Sequence, residues 1–302
     1  MEKVEALSPI VFGASGLLGG YLFRTIKRRY PGVIGTYHNN KSVGLRAFDF
    51  KSSELSQLNL RRGERYYAIV CSAITSISQI NEDPAAAALV NVVGTLRLIE
   101  QLKNYGIPVL FISSDNVFSG KQGGYLDGSV AEPVSEYGRQ KREVERVLLD
   151  YDDGACVLRL AKIMGDKPND ATILNDIAGQ LLSGQLVRAA RDLIFNPTAV
   201  EDIAQAVLEV LRRRITGVRN LCNPQHYSRL VLTYAVAEAL GLDDERIQPV
   251  SFSDIDPSGK RPLNTTMINS DCFRDFAFKD VDACIARAQR YWRAKTNEGV
   301  AW

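Results

Sequence analysis

Tyr137 and Lys141 stand four residues apart, the spacing that brings two side chains onto one face of a helix. The following run, Glu143-Val144-Glu145-Arg146-Val147-Leu148, supports a helix there. A free phenol has a pKa of about 10, so a tyrosine that transfers protons near neutral pH needs a cation beside it, and Lys141 supplies one. The pair alone is weak: with 12 tyrosines in the chain, ordinary lysine usage produces about one Tyr-x-x-x-Lys by accident. Ser113-Ser114-Asp115 strengthens it, because these residues end an apolar run at the edge where open parallel sheets bind ligands. Ser114 is then expected to hydrogen-bond a substrate carbonyl, Tyr137 to hand it a proton, and Lys141 to lower the phenol's pKa. The bland alternative makes Ser114 a turn cap and Tyr137 a packed aromatic.

A second constellation lies near the N-terminus, where Gly13-Ala14-Ser15-Gly16-Leu17-Leu18-Gly19 follows an apolar run and opens a helical one. Glycines there let the backbone turn tightly and approach a pyrophosphate, while free helix amides receive its charge. Gly13, Ser15, Gly16, Leu17, Leu18 and Gly19 are therefore candidate dinucleotide contacts. Past the second strand, where an acid would accept the ribose hydroxyls of NAD, the chain offers Tyr37-His38-Asn39-Asn40-Lys41 and then Arg46. With cations and no carboxylate in that run, NADPH is the expected cofactor and NADH the alternative; His38, Asn39 and Lys41 are the candidates for its 2′-phosphate. Ser72 and Ala73, just past Ala68-Ile69-Val70-Cys71, complete this set, and Tyr137 and Lys141 join it by holding the nicotinamide ribose.

The elements that must position these groups alternate through the first half. Ile10-Val11-Phe12 reads as a strand, Leu18 to Arg29 as a helix stopped by Tyr30-Pro31-Gly32, and Val33 to Tyr37 as the second strand. Ala68 to Cys71, a helix through Ala85 to Asn104, Val109 to Ile112 and Val157 to Leu160 continue the pattern. Beyond Ala161 the cluster of Gly, Pro, Asn and Asp at 165–170 marks a lobe boundary, and helical spacing dominates at Pro197 to Arg213 and Val231 to Leu240. The predicted fold is α/β, a doubly wound parallel sheet of Rossmann type with a smaller C-terminal substrate lobe. Residues 1–160 form the dinucleotide-binding domain, with 196–224 returning to it, and 161–302 form mainly the substrate lobe.

Composition narrows the classes. Hydrophobic residues at 45%, charged residues at 24% and a net charge of +2, with acids and bases interleaved, point away from disorder and from nucleic acid. The N-terminus lacks the pattern of a secretory signal, and no run of about eighteen unbroken apolar residues is found, so a cytoplasmic protein with no membrane partner is expected. Cys71, Cys156, Cys222, Cys272 and Cys284 are widely spaced, and the odd count suits buried thiols in a reducing compartment. His38 and His226 stand apart from other ligands, so no metal is expected.

Taken together, Gly13 to Gly19, Ile112-Ser113-Ser114-Asp115-Asn116-Val117-Phe118 and Pro133 to Lys141 resemble the extended short-chain dehydrogenase/reductases, and among them the dTDP-4-dehydrorhamnose reductases. Asn196 to Ala204 and Arg261-Pro262-Leu263-Asn264 are similar to second-half motifs of that family. The resemblance implies hydride transfer from NADPH to C4 of a nucleotide-linked 4-keto-6-deoxysugar, and it maps a Ser/Thr-Tyr-Lys triad onto Ser114, Tyr137 and Lys141. It also implies that Asp49 and Phe50 lie near the adenine and that Asn116, Val117 and Phe118 contact substrate; Lys162, which departs from a tryptophan common in the family, and Arg261 are candidate cations for a substrate diphosphate. Arg188 and Arg191 are further candidates for a diphosphate. Where related 4,6-dehydratases carry a catalytic glutamate, this chain has Asn116, an amide that cannot act as that base. A nucleotide sugar is thus the expected small-molecule partner, with a homodimer as one assembly left open. Two alternatives stay open: a non-catalytic NADP-binding regulatory subunit resembling the methionine adenosyltransferase β subunit, and a sugar-nucleotide epimerase.

Overall fold

A computed structural model of the chain describes residues 7–151, 154–165, 167 and 170–297. The N-terminal stretch 1–6, and positions 166, 168 and 169 in the loop expected at the lobe boundary, lie outside the described residues.

In chain order, β1 (Leu7–Phe12) leads to α1 (Leu17–Arg29), β2 (Ile34–Tyr37), the short β3 (Arg46–Ala47) and β4 (Arg65–Val70). Then come α2 (Ile77–Glu82), α3 (Pro84–Ala88), a π-helical stretch at Leu89–Gly94, α4 (Thr95–Asn104), β5 (Val109–Ser114), α5 (Glu136–Tyr151) and β6 (Cys156–Leu160). The remainder comprises β7 (Ile163–Met164), α6 (Ile173–Leu182), β8 (Val187–Ala190), β9 (Ile194–Phe195), β10 (Thr198–Ala199), α7 (Val200–Arg213), β11 (Gly217–Leu221), β12 (Tyr227–Ser228), α8 (Arg229–Leu240), β13 (Ile247–Val250), α9 (Phe252–Ile255) and α10 (Val281–Asn297).

Seven strands form the central sheet in the order β11-β6-β5-β4-β1-β2-β3. β1 pairs in parallel with both β2 and β4, β2 with β3, and β4 with β5. The chain winds outward in both directions from β1 and β4, so the ligand crevice of such a sheet opens beyond the carboxyl ends of these two strands. Pro9 is tolerated inside β1 because pairing with β2 starts only at Ile10, leaving β4 as the one neighbour at Pro9. β5 is buried along its whole length and β1 and β4 over most of theirs, which is why their inner residues read as apolar runs.

The chain divides into two compact units, which we describe separately. The first comprises the described residues up to Val117, Ser135–Arg159 and Ala204–Arg219; the second comprises Phe118–Val134, Leu160–Ile203 and the described residues from Asn220 onward. The stretch returning to the first unit is thus shorter than the 196–224 expected from the sequence, and Phe118–Val134 leaves the first domain that was expected to run through residue 160. The reason is backbone pairing: the Tyr125 amide donates to Thr266 O (3.0 Å) and the Ile268 amide to Tyr125 O (2.9 Å), within the second unit.

Two helix boundaries move for local reasons. Asn196 to Ala199 is extended, with the Thr198 amide donating to Lys162 O (2.8 Å), so α7 starts at Val200 rather than Pro197. Ser228 accepts from the Val231 amide (3.1 Å) and caps α8, which therefore starts at Arg229. The helical run Pro84–Asn104 is long and apolar enough to cross a membrane by length and composition alone, though it is no unbroken apolar run. Its Leu98, Ile99 and Leu102 instead sit in the first unit's core with Phe12, Val70 and Phe111.

The second unit has its own core, built from α6, α8 and α10 around Trp292, which is fully buried. Its indole N–H donates to Asn175 Oδ1 (2.8 Å), satisfying the ring's one polar atom.

Candidate active site

The glycine turn between β1 and α1 is held shut on itself. Gly13 adopts φ +93°, and a Cβ there would stand 2.9 Å from the Ser72 backbone. A Cβ on Gly19 would lie 2.0 Å from Gly13 O, so both glycines are dictated by the fold of the empty chain. Gly16 differs: a Cβ there meets only Gly13 O, at 3.4 Å, an ordinary contact. Gly16 is the N-cap of α1, which has no side-chain cap and no acid in its first turn, while Lys27, Arg28 and Arg29 complement the opposite end of the helix dipole. Its first amides are thus available to an anion, and the turn fits a dinucleotide pyrophosphate.

At the end of β2, His38, Asn39 and Lys41 are exposed, as a 2′-phosphate site requires. The absence of a carboxylate expected there holds only in sequence: the fold returns Asp49, whose Oδ2 lies 3.7 Å from His38 Nε2. Asp49 is committed to its own turn, accepting from the Lys51 amide (2.9 Å) and the Ser52 hydroxyl (3.1 Å). Burial raises its pKa, but these bonds and the His38 and Lys51 charges outweigh it and hold the carboxyl below its ordinary value. Phe50 is buried in an edge-on aromatic cluster with Phe12 and Phe48, at 6.1 and 6.2 Å, so its side chain is core rather than an adenine contact. Arg46 is likewise spent, on Leu58 O.

β5 ends at Ser114, and α5 starts just after Ser135, whose hydroxyl accepts from the Gly138 amide (3.1 Å). That cap sets Tyr137 in the first turn and Lys141 one turn on. The Tyr137 phenol comes near enough to the Ser114 hydroxyl for that hydroxyl to act on its pKa. The same hydroxyl lies 3.0 Å from Asp115 Oδ1 and accepts from the Asn116 amide and Nδ2, both at 3.2 Å. Lys141, 5% exposed, donates to Ile112 O (2.9 Å), with Nζ 4.7 Å from the Phe111 ring and 5.8 Å from the Tyr137 ring. Serine, phenol and ammonium therefore meet at one strand end.

The electrostatics correct one expectation. Lys141 was to lower the phenol's pKa; instead burial raises it, the Asp115 charge raises it further, and only the Ser114 hydroxyl opposes them. The ammonium's hydrogen bond goes to Ile112 O, away from the phenol oxygen. Lys141 itself is lowered to about 8 by burial, against the Cys71 and Glu145 charges. Cys71 is pushed up to about 12 by burial, which makes it an inert thiol.

The family model described as RmlD substrate binding domain matches residues 9–288. The chain belongs to this family. Within it, the chain is 26% identical over 264 residues to a probable low-salt glycan biosynthesis reductase of Haloferax volcanii, covering 85% of this chain and 88% of that one. It is 25% identical to the methionine adenosyltransferase 2 subunit beta of Xenopus tropicalis, over 84% and 78% of the two chains. Among solved structures, the dTDP-4-dehydrorhamnose reductase of Bacillus anthracis in complex with NADP superposes with a TM-score of 0.78 over 94% of this chain and 99% of that one; at 18% identity it shows the shared fold.

In this RmlD-family chain the expected substrate contacts divide. Asn116 is partly exposed beside Ser114, but Val117 is fully buried. Phe118 is also fully buried, stacked on Tyr125 at 4.2 Å in the second unit, so both are packing residues. In that same unit Lys162 is exposed, Arg261 lies over the Phe252 ring at 5.1 Å, and Arg188 donates to Asp254 O (2.9 Å). Burial lowers the Arg261 pKa, its flat cation resting on an aromatic face. Asn196, from the motif resembling the family's second half, is structural: its amide donates to Asn223 O and Gln225 O and accepts the Met267 amide.

Three residues around the site escaped the sequence. Asn91, in the π-helical stretch, donates to Ile74 O (2.9 Å) and Gln140 Oε1 (2.8 Å) and accepts the Ile74 amide (2.8 Å), tying the loop after β4 to α5. Glu145 and Arg159 form a buried pair behind Lys141. Arg159 had a visible signal, a charge in the middle of the apolar strand Val157-Leu158-Arg159-Leu160. Among the described residues, no group of three or more His, Cys, Asp or Glu is arranged to hold a metal.

Proposed function

We propose that this chain is an NADPH-dependent reductase of nucleotide-linked 4-keto-6-deoxysugars, with NADH as the alternative donor. The convergence of Ser114, Tyr137 and Lys141 at the end of β5 carries this reading. The glycine turn and its uncapped helix would hold the pyrophosphate, and His38 and Lys41 the 2′-phosphate. Bound there, the reduced nicotinamide supplies a hydride. The Ser114 hydroxyl turns to the sugar's C4 carbonyl oxygen, oriented by the two Asn116 donors behind it. Tyr137 gives its proton to that oxygen. A raised phenol pKa suits this direction, because the group starts protonated across the physiological range. The Lys141 ammonium, fixed on Ile112 O, would hold the nicotinamide ribose. Asn116 in place of a carboxylate removes the base that elimination would need. Lys162 and Arg261 are the cations we assign to the substrate diphosphate.

The relatives named as reductases support this reading, as does the rhamnose-reductase fold that binds NADP. The test is NADPH consumption against a panel of dTDP-, UDP- and GDP-linked 4-keto-6-deoxysugars, with NADH in parallel. Turnover with one of them supports the assignment. Tight NADPH binding with no turnover on any of them favours the second reading, a regulatory subunit, for which the methionine adenosyltransferase relatives speak.

A further inference from the structure

Behind the serine, phenol and ammonium lies a set of buried charges that the proposed chemistry does not use. The Glu145 side chain is fully buried, one helical turn past Lys141 on α5. Arg159 of β6 meets it through two bonds, Nε to Oε1 at 3.1 Å and Nη2 to Oε2 at 2.8 Å. The Ser113 hydroxyl donates to the same Oε1 at 2.5 Å, and Arg142 stands 4.0 Å from Oε2. One fixed bond thus runs from this carboxylate toward the site, through Ser113 to its chain neighbour Ser114, while Lys141 stands one turn away on the same helix. We propose that Glu145 is a positioning residue of this site, its buried carboxylate holding the strand end that presents Ser114 and setting its negative charge one helical turn behind the Lys141 ammonium.

A buried ion pair is poor evidence for stability, since an apolar pair of the same volume often serves as well. Two features of this one exceed what packing needs. It recruits Ser113, the neighbour of the candidate catalytic serine, and it faces a lysine that burial drives towards the neutral form. The groups around Lys141 are Cys71 after β4, Ile112 O and the Phe111 ring on β5, Tyr137 and Glu145 on α5, and beyond them Asp115, Arg142 and Arg159. Cys71 stays a neutral thiol through the physiological range, so Glu145 is the anion acting on Lys141 from its own helix.

This inference rests on the reductase reading, so its first readout avoids turnover. In protein labelled with 13C at lysine Cε, the Lys141 resonance, assigned by its loss in Lys141→Met, is titrated in wild type, Glu145→Gln and Glu145→Asp. Glu145→Gln keeps the volume and two hydrogen bonds while removing the charge; its Lys141 midpoint is expected to fall by about one pH unit or more. Glu145→Asp, which keeps the charge, is expected to remain near wild type. The alkaline limb of NADPH oxidation should move down in Glu145→Gln by the same amount and return in Glu145→Asp. An unchanged Lys141 midpoint in folded Glu145→Gln overturns the proposal. If Glu145→Gln does not fold, Ser113→Ala decides: it severs the bond to the strand end, and an unaltered kcat there is equally fatal. Wild-type protein inactive on every keto sugar would sink the reductase reading while leaving the titration to stand or fall separately.

Discussion

At the scale of single residues, Tyr137 is the proton donor of the proposed reduction. Tyr137→Phe keeps the ring and removes only the proton, so kcat for NADPH oxidation should drop by about 100- to 10,000-fold while NADPH affinity, measured by fluorescence titration, stays close to wild type. Comparable turnover in this variant would remove Tyr137 from the mechanism. The pH dependence follows from Lys141. Its folded-state pKa is lowered to about 8, and the role proposed for it, holding the nicotinamide ribose, needs the ammonium, so kcat/KM for the free protein should decline as pH rises through about 8. The phenol titrates higher still and contributes no limb below that. A profile flat to pH 9 would refute the assigned role of the ammonium. His38 and Lys41 are exposed, so their charges act through solvent and weakly. Lys41→Glu is expected to raise KM for NADPH several-fold and leave NADH nearly unaffected; equal changes for both cofactors would place the 2′-phosphate elsewhere.

At the scale of elements, the glycine turn separates what the fold needs from what a ligand needs. Gly19→Ala puts a methyl 2.0 Å from Gly13 O, so the β1 to α1 turn must deform and the melting temperature should fall even without cofactor. Gly16→Ala places its methyl at ordinary contact distance, so the apo protein should melt as wild type while the stabilisation conferred by added NADPH shrinks. Paired melts with and without NADPH distinguish the two; a Gly16→Ala protein that gains as much as wild type would mean the pyrophosphate does not lie over that residue. The turn was legible in sequence because its requirement is local: a strand, three glycines and a helix suffice. The boundaries of α7 and α8 were less so. Asn196 to Ala199 has helical spacing, yet its hydrogen bonds reach residues 27 and 71 positions away, and those partners hold it extended.

For the molecule as a whole, two cores carry the stability, and the second depends on one large residue near the end of the chain. Trp292 is fully buried among α6, α8 and α10 with its N–H satisfied by Asn175. Trp292→Ala should cost about 3–5 kcal/mol, read as an earlier denaturant midpoint by circular dichroism. A loss below about 1 kcal/mol would mean the site collapses around the cavity or that α10 matters little.

Periodicity, turn chemistry and short spacings were enough to read a Rossmann-type sheet, the glycine turn, and the Tyr137 and Lys141 pair from the residues alone, because each leaves a local pattern in the sequence: alternating apolar runs and helical stretches, glycines between a strand and a helix, and a four-residue step on one helix face. Tertiary structure alone decided the rest. It brought Asp49 back beside His38, sent Phe118–Val134 to the second unit, buried the side chains of Val117, Phe118 and Phe50, and joined Glu145 to Arg159 and Ser113. These are pairings between distant parts of the chain, chosen by which surfaces exclude water together. The same desolvation raised the Tyr137 pKa that spacing alone had suggested should fall, since spacing counts neighbours and burial sets what their charges are worth.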